Sequence, residues 1–505
     1  MTATTTSTPP SATDVRTLRN FVGGRWVESE SSDLLDVVNP ATGAILARVP
    51  LSTPRDVDAA VAAARHAFPA WREHPVIQRA RWLFSLREAM VAREDDLARS
   101  VTREMGKTLP DARAEVQRAI EMVECATAVP TTMQGRILEG VATNVDCQTV
   151  RQPVGVCAAV VPFNFPAMVP FWFLPFAIAC GNTFVLKPSE QVPLTQELIF
   201  GIIDELRLPA GVVNLVNGGA AVVDALLAHP GVDAVSFVGS ARVARHVYEE
   251  AAAHGKRVQA LGGAKNHMVV MPDAVIDKTV SNIIGSAFGA AGQRCMAGSV
   301  VVTVGAARDR LLEPLRAATQ ELRVGDGMEA GTAVGPLVSC AARDRVRAAI
   351  DRAVDAGAKP LVDGRGVEAD PDGAYLGPTV LVDVAPDSEA ARDEIFGPVL
   401  SVVHVDTLDA AIALVNGSPY GNGTSIFTES GPAARRYAHE IQVGMVGINV
   451  GVAAPVAFFP FSGWKASFLG DLHAHGGDAI EFFTRKKTIT SRFFSHESGR
   501  FFTEQ

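Results

Sequence analysis

The sequence has no excess of positive charge: 46 Lys and Arg stand against 55 Asp and Glu, for a formal net charge of −9. A nucleic-acid partner is therefore not expected, because such binders carry a basic face. Long apolar runs are missing as well. A membrane helix needs roughly 18 or more apolar residues. The longest candidate, Met168 to Cys180, is broken by Pro170 and Pro175 and reads as a buried segment, so no membrane association is expected. Cysteine is sparse. The six (Cys125, Cys147, Cys157, Cys180, Cys295 and Cys340) form no CxxC pair and no zinc spacing, so no metal site is expected and a reducing, cytoplasmic compartment fits. The opening MTATTTSTPPSATD lacks the apolar stretch of a secretory signal and has too few apolar residues to fold. A disordered tail is expected over 1–15.

What remains is an ordinary globular composition, 48% hydrophobic and 20% charged over 505 residues. That length exceeds one core and suggests roughly two to four domains. Short strands are expected at Asn20 to Trp26 and within Asp36 to Pro50. Apolar residues at spacings of three and four then predict helices over Thr53 to Phe68, Val76 to Glu94, Asp95 to Met105 and about Pro110 to Ala128. Arg136 to Val150 alternates around Gly140 and reads as a projecting hairpin, with too little apolar surface to bury itself.

From Val154 the rhythm becomes strand, helix, strand. VGVCAAVVP, NTFVLKP, GVVNLVNG, AVSFVG and KRVQAL are β-branched runs, separated by helical segments such as Leu194 to Glu205 and Ala241 to Ala253. This alternation predicts an α/β fold with a parallel sheet covered on both faces. A nucleotide-binding architecture is implied, yet no GxGxxG fingerprint is present. Gly239 and Ser240 stand at a strand end just before a helix instead, where backbone N–H groups can face a phosphate.

The stretch Phe288 to Ala297, FGAAGQRCMA, places Cys295 between a helical run (Asp277 to Ala291) and a strand-like run (Ser299 to Val304). Cysteine at such a junction can meet a ligand, the small neighbours Gly292, Ala297 and Gly298 can admit a substrate carbon, and Arg294 should favour the thiolate. A lone cysteine is more often a small buried hydrophobe. The company it keeps decides otherwise. PFNFP surrounds Asn164, LKPSE spans Leu186 to Glu190, and FVGS spans Phe237 to Ser240; EIFGP, YGNG and PFSGWKAS follow downstream. In this order and spacing, from about Phe21 to about Ser491, the chain resembles the aldehyde dehydrogenase superfamily.

The resemblance implies two α/β domains with parallel sheets and a small β oligomerisation arm. The NAD-binding domain would take 16–133 and 154–263, the catalytic domain 264–476, and the arm 134–153 with 477–505. Cys295 would be the nucleophile, and Asn164, in its proline frame, an oxyanion donor with the Cys295 backbone N–H. Lys187 and Glu190 would hold the adenosine ribose, with Glu190 repelling a 2′-phosphate and so favouring NAD. Gly239 and Ser240 would face phosphate, Glu394 would hold the nicotinamide ribose, and Phe396 and Phe163 would pack near the ring. A dimer or tetramer is expected through the arm.

One departure from the family pattern carries the substrate reading. Many hydrolytic members read ELGGK where this chain has Leu261-Gly262-Gly263-Ala264-Lys265, so the general-base glutamate falls on a leucine. Water, with a pKa near 15.7, needs a base to attack; a thiol, near 8.5, needs less help. Coenzyme A is thus the expected co-substrate. VQALGGAKNHMVVMPDA and PFSGWKASFLGDLHAHG resemble the CoA-acylating methylmalonate-semialdehyde dehydrogenase branch. There, the positions of Arg118 and Arg294 hold the carboxylate of a small semialdehyde. The alternative is a hydrolytic NAD(P)-dependent enzyme that produces a carboxylate.

Overall fold

Short runs of β-branched residues with no polar alternation suit strands buried on both faces, and this is how the centre of the chain folds. The computed structural model describes residues 15–494. The tail expected over 1–15 lies, but for Val15, outside the described residues, as does 495–505 of the expected arm. Strands Val156–Val160, Thr183–Lys187, Val213–Leu215, Ala234–Val238 and Arg257–Leu261 pair in parallel. Antiparallel edge strands Asn20–Val22, Arg25–Val27 and Phe468–Gly470 complete an eight-stranded sheet.

Residues alternate between two cores along these strands. Cys157 and Ala159 face the helices Val76–Ala92 and Leu109–Ala126, whereas Val156, Ala158 and Val160 face Pro54–Glu73 and Ala241–Ala253. The strand order also fixes where a ligand can sit. Val156–Val160 is the first parallel strand in sequence. The chain builds outward from it on one side through Thr183–Lys187 and Val213–Leu215, then crosses to Ala234–Val238 on the other. A crevice therefore opens beyond the carboxyl ends of Val156–Val160 and Ala234–Val238, the usual ligand position in such sheets.

A second sheet of seven strands follows, with Asn266–Val270 flanked by Gly298–Val304 and Gly423–Phe427. Its strands are parallel except for the edge strand Lys359–Val362. The first sheet thus offers its carboxyl-terminal strand ends to the site, and the second its amino-terminal ends.

The arm is a three-stranded antiparallel sheet. Arg136–Ala142 pairs with Val145–Pro153, which pairs with Thr484–Arg492 in unbroken register from Thr484–Pro153 to Arg492–Val145. The hairpin turns at Thr143 and Asn144, where Asn144 takes φ 59°, rather than at Gly140 as its alternation suggested. Gly140 sits instead within a register shift, its N–H donating to Asp146 Oδ1 at 3.0 Å. Every residue of Arg136–Ala142 is exposed, Ile137 and Leu138 at 65% each.

Candidate active site

The helix that leads to Cys295 ends at Phe288, three residues before its apolar periodicity does. Ala290 and Ala291 then take φ 50° and 53°, a left-handed turn that no alanine prefers. Gly292 serves packing as well. A Cβ there would lie 2.1 Å from the Gly397 carbonyl oxygen, so this glycine lets the cysteine loop pack on the EIFGP turn.

Two asparagines pin the cysteine backbone. Asn266 Nδ2 and Asn422 Nδ2 donate to the Cys295 carbonyl at 2.8 and 2.9 Å, and Asn266 Oδ1 accepts from Gly423 N at 3.0 Å. On the facing side, Asn164 Nδ2 donates to the Gln293 carbonyl at 2.9 Å, leaving its second N–H free. The Asn164 loop is in turn fixed by a buried ion pair. Lys107 Nζ donates to Glu115 Oε2 at 2.6 Å and to the Asn164 carbonyl at 2.7 Å, while Glu115 Oε1 accepts from Ala167 N and Met168 N. Breaking one member of such a pair leaves a buried charge uncompensated and costs about 3–5 kcal/mol.

Two cavities meet at Cys295. The first, of about 520 Å³, fills the crevice between the sheets and is walled by Gly239 and Ser240 from one strand end and Phe163 and Asn164 from the other. Glu190, Glu394 and Phe396 also line it. Lys187 stands behind Glu190, its Nζ donating to Glu190 Oε2 at 2.7 Å. The rings of Phe163 and Phe396 meet edge to face, 5.8 Å apart at 85°. Phe396 is held at φ 58°, a conformation that costs a non-glycine residue and persists where the surroundings enforce it. Ser240 is the N-cap of Ala241–Ala253, but its side chain makes no capping bond and remains available. Arg345 reaches the same cavity with no ion-pair partner among the described residues.

The second cavity, of about 340 Å³, opens on the other side of the sulfur. Arg118 and Arg294 both line it, with Phe165, Trp172, Phe461 and His475. Each arginine already has an acid: Arg118 Nη1 donates to Glu121 Oε2 at 2.6 Å and Arg294 Nη2 to Asp111 Oδ1 at 2.8 Å. The Arg294–Asp111 pair ties the cysteine loop to the helix that carries Arg118.

The electrostatics limit one expectation. Arg294 does act to favour the Cys295 thiolate, as expected, but burial outweighs it and pushes this thiol up to about 12, with the Glu394 charge adding to the push; Arg294 is the smallest of the opposing influences. Its charge is spent largely on Asp111. Burial also raises the Glu394 carboxyl to about 7, although Ala264 N donates to its Oε1 at 3.1 Å. Burial lowers Lys265 to about 8, its Nζ bound to the Asp393 carbonyl at 2.7 Å. Leu261 is buried at the end of its strand and offers no acceptor.

Sequence reasoning did not find Lys107, Glu115, Asp111, Asn266, Asn422, Arg345 or His475. Asn422 lies within the YGNG motif and Asn266 directly follows Lys265, so both were adjacent to recognised signals. His475 is 1% exposed, takes φ 45°, and leaves Nδ1 without a hydrogen-bond partner; burial pushes it down to about 4.

A cysteine-bearing loop set between two α/β units, with a crevice of about 520 Å³ on one side, is an aldehyde dehydrogenase-like arrangement. The chain belongs to the aldehyde dehydrogenase family, whose profile matches residues 26–489. It is 52% identical over 482 residues to malonate-semialdehyde dehydrogenase 2 of Geobacillus kaustophilus, covering 95% of this chain and 100% of that one. Among solved structures it is similar to methylmalonate-semialdehyde dehydrogenase of Oceanimonas doudoroffii, with TM-score 0.94 and 45% identity over 95% of this chain and 99% of that one. A Sinorhizobium meliloti protein, solved with NAD under a provisional methylmalonate-semialdehyde dehydrogenase name, gives TM-score 0.94 and 42% identity over 96% and 99% of the two chains.

Proposed function

We propose that the protein oxidises malonate or methylmalonate semialdehyde with NAD and transfers the acyl group, after loss of carbon dioxide, to coenzyme A. The observation that carries this reading is the pair of cavities meeting at Cys295, one walled by Arg118 and Arg294, with Leu261 where a water-activating glutamate would stand. The names of the relatives agree with it.

Cys295 Sγ attacks the aldehyde carbon. The oxygen, as it becomes an anion, turns toward the Cys295 N–H and the free N–H of Asn164, donors fixed before the reaction begins. NAD, when bound, supplies the hydride acceptor. The first cavity suits it: Gly239 and Ser240 sit at the start of a helix, where N–H groups face a phosphate, and Glu190 offers its carboxylate to a free 2′-hydroxyl. The product of hydride loss is a thioester on Cys295 with a carboxylate on the α-carbon, next to the thioester carbonyl. Arg118 and Arg294 hold that carboxylate, a task for which the guanidinium fork is suited. Loss of carbon dioxide leaves the electron pair of the broken C–C bond on the α-carbon, delocalised into the thioester carbonyl; that carbon takes up a proton from solvent to give an acetyl or propionyl group, and the CoA thiol takes it from Cys295.

A hydrolytic NAD(P)-dependent dehydrogenase is the second reading. It needs a base for water, and Leu261 removes the one that the family pattern supplies. We read the protein further as a cytoplasmic homo-oligomer, dimer or tetramer, joined through the arm, since a sheet with an uncovered edge gains by pairing. The reaction is tested by incubating enzyme with malonate semialdehyde and NAD but no CoA, then quenching in acid. An acyl adduct mapped to Cys295, and no turnover in Cys295→Ala, are expected. Turnover retained by Cys295→Ala would overturn the mechanism.

A further inference from the structure

The sulfur that must act as a thiolate is held where the thiolate is disfavoured. Burial holds this thiol far above its ordinary value of about 8.5, so the thiolate is a minor species at pH 7. Arg345, a cation in the surrounding walls without an ion-pair partner among the described residues, acts on Glu394 and is not among the influences on the thiol. Arg294 is paired with Asp111, Lys107 with Glu115, and Lys265 with the Asp393 carbonyl. A base is therefore needed, and Leu261 cannot be it.

Four carboxylates line the cavities that meet at Cys295: Asp111, Glu115, Glu190 and Glu394. Three are committed. Asp111 accepts from Arg294 and Ala290 N, Glu115 from Lys107 and two backbone N–H groups, and Glu190 from Lys187. Glu394 is different. Ala264 N binds Oε1, and Oε2 has no donor among the described residues. Glu394 shares with Cys295 both the 520 Å³ cavity and the narrower cleft behind it. The backbone makes room for it, since a Cβ on Gly263 would lie 2.7 Å from Oε2. The charged and titratable groups that face it are Lys265, Arg345, Tyr420 and Cys295 itself.

We propose that Glu394 is the base that takes the proton of Cys295. This rests on the reading of Cys295 as nucleophile and adds a role to Glu394 beside the ribose contact that the family resemblance implies. A carboxylate has about four lone-pair sites, enough for Ala264 N, a ribose hydroxyl and the thiol proton. In activation the Sγ–H bond breaks, an O–H bond forms at Oε2, and the sulfur pair forms the bond to the aldehyde carbon. That proton is later released to solvent, which a carboxyl near 7 permits. In discharge the CoA thiol gives its proton to Oε2, its sulfur bonds to the acyl carbon, and the departing Cys295 Sγ recovers the proton.

The test is the rate at which iodoacetamide alkylates Cys295 in enzyme without NAD or substrate, with the labelled peptide identified by mass and Cys295→Ala as the blank. The two possible roles of Glu394 predict opposite signs. If its charge only disfavours the thiolate, Glu394→Gln removes that charge and alkylation becomes faster. If it is the base, Glu394→Gln alkylates at least about tenfold more slowly, and Glu394→Asp recovers part of the rate. The wild-type rate should also rise through an inflexion near pH 7 that Glu394→Gln lacks. Equal or faster labelling of Glu394→Gln overturns the proposal. Should that variant not fold, absence of the wild-type inflexion overturns it alone. Turnover by Cys295→Ala would instead overturn the nucleophile reading, a separate outcome.

Discussion

Arg118→Leu should separate acidic from neutral substrates. Arg118 lies in the wall of the second cavity, 38% exposed at its side chain, and already donates one nitrogen to Glu121. A charge-assisted hydrogen bond contributes about 1.5–3 kcal/mol. Partial exposure and competition from Glu121 place the loss at the lower end, about 1.5 kcal/mol or slightly more than tenfold in kcat/KM. The loss should fall on KM for malonate semialdehyde and leave propanal nearly unchanged, because propanal has no carboxylate to hold. The reverse change sharpens the argument. Glu121 Oε1 accepts from Ala457 N at 3.0 Å, a contact glutamine preserves, so Glu121→Gln should free Arg118 and lower KM for the acid. Both variants are read by NADH absorbance over a range of each aldehyde. Equal losses on the two substrates in Arg118→Leu would refute the carboxylate role.

Glu190→Gln should narrow a preference for NAD over NADP, because the charge that repels a 2′-phosphate is gone; wild-type enzyme that uses both equally well would remove Glu190 from the ribose. Light scattering at micromolar protein should give a mass of at least two chains, and a monomer would refute assembly through the arm. The arm should also loosen in acid. Arg151, on the strand Val145–Pro153, and Lys486 hold the Glu481 carboxyl down at about 2, with the Arg151 hydrogen bond the larger cause. A depressed carboxyl stabilises the fold above its unfolded value of about 4.3 and loses that contribution as pH falls toward 2. Protection factors of the amides over 145–153, corrected for the slower intrinsic exchange in acid, should therefore fall between pH 5 and pH 2, and equal protection across that range would refute the link.

Local pattern was enough for much of the architecture. The buried β-branched runs announced the parallel sheet, and Leu194 to Glu205 and Ala241 to Ala253 fold as helices over those spans. Hairpin geometry was less legible, because Gly140 and Asn144 can both take positive φ and the register is decided by pairing with Thr484–Arg492. The motifs led to the right neighbourhood, and the structure places Asn164, Glu394 and Cys295 in one cavity. The charge balance was not visible. Arg294 stands next to Cys295 in sequence, yet its partner Asp111 lies 183 residues away. Burial, set by the whole fold, then decides the thiol, which no neighbouring residue reveals. The Lys107–Glu115 pair looks in sequence like an ordinary helix-flanking pair, and its function appears only when Asn164 is brought against it from 57 residues downstream of Lys107.

CoA dependence separates acyl transfer from hydrolysis. Enzyme, malonate semialdehyde and NAD are followed at the NADH absorbance, first without CoA and then with it, and the products are separated. NADH formation should be slow or limited to a single turnover without CoA, and with CoA turnover should be sustained and give one acetyl-CoA and one carbon dioxide for each NADH. Sustained turnover without CoA, with a free carboxylic acid accumulating in step with NADH, would contradict acyl transfer to CoA.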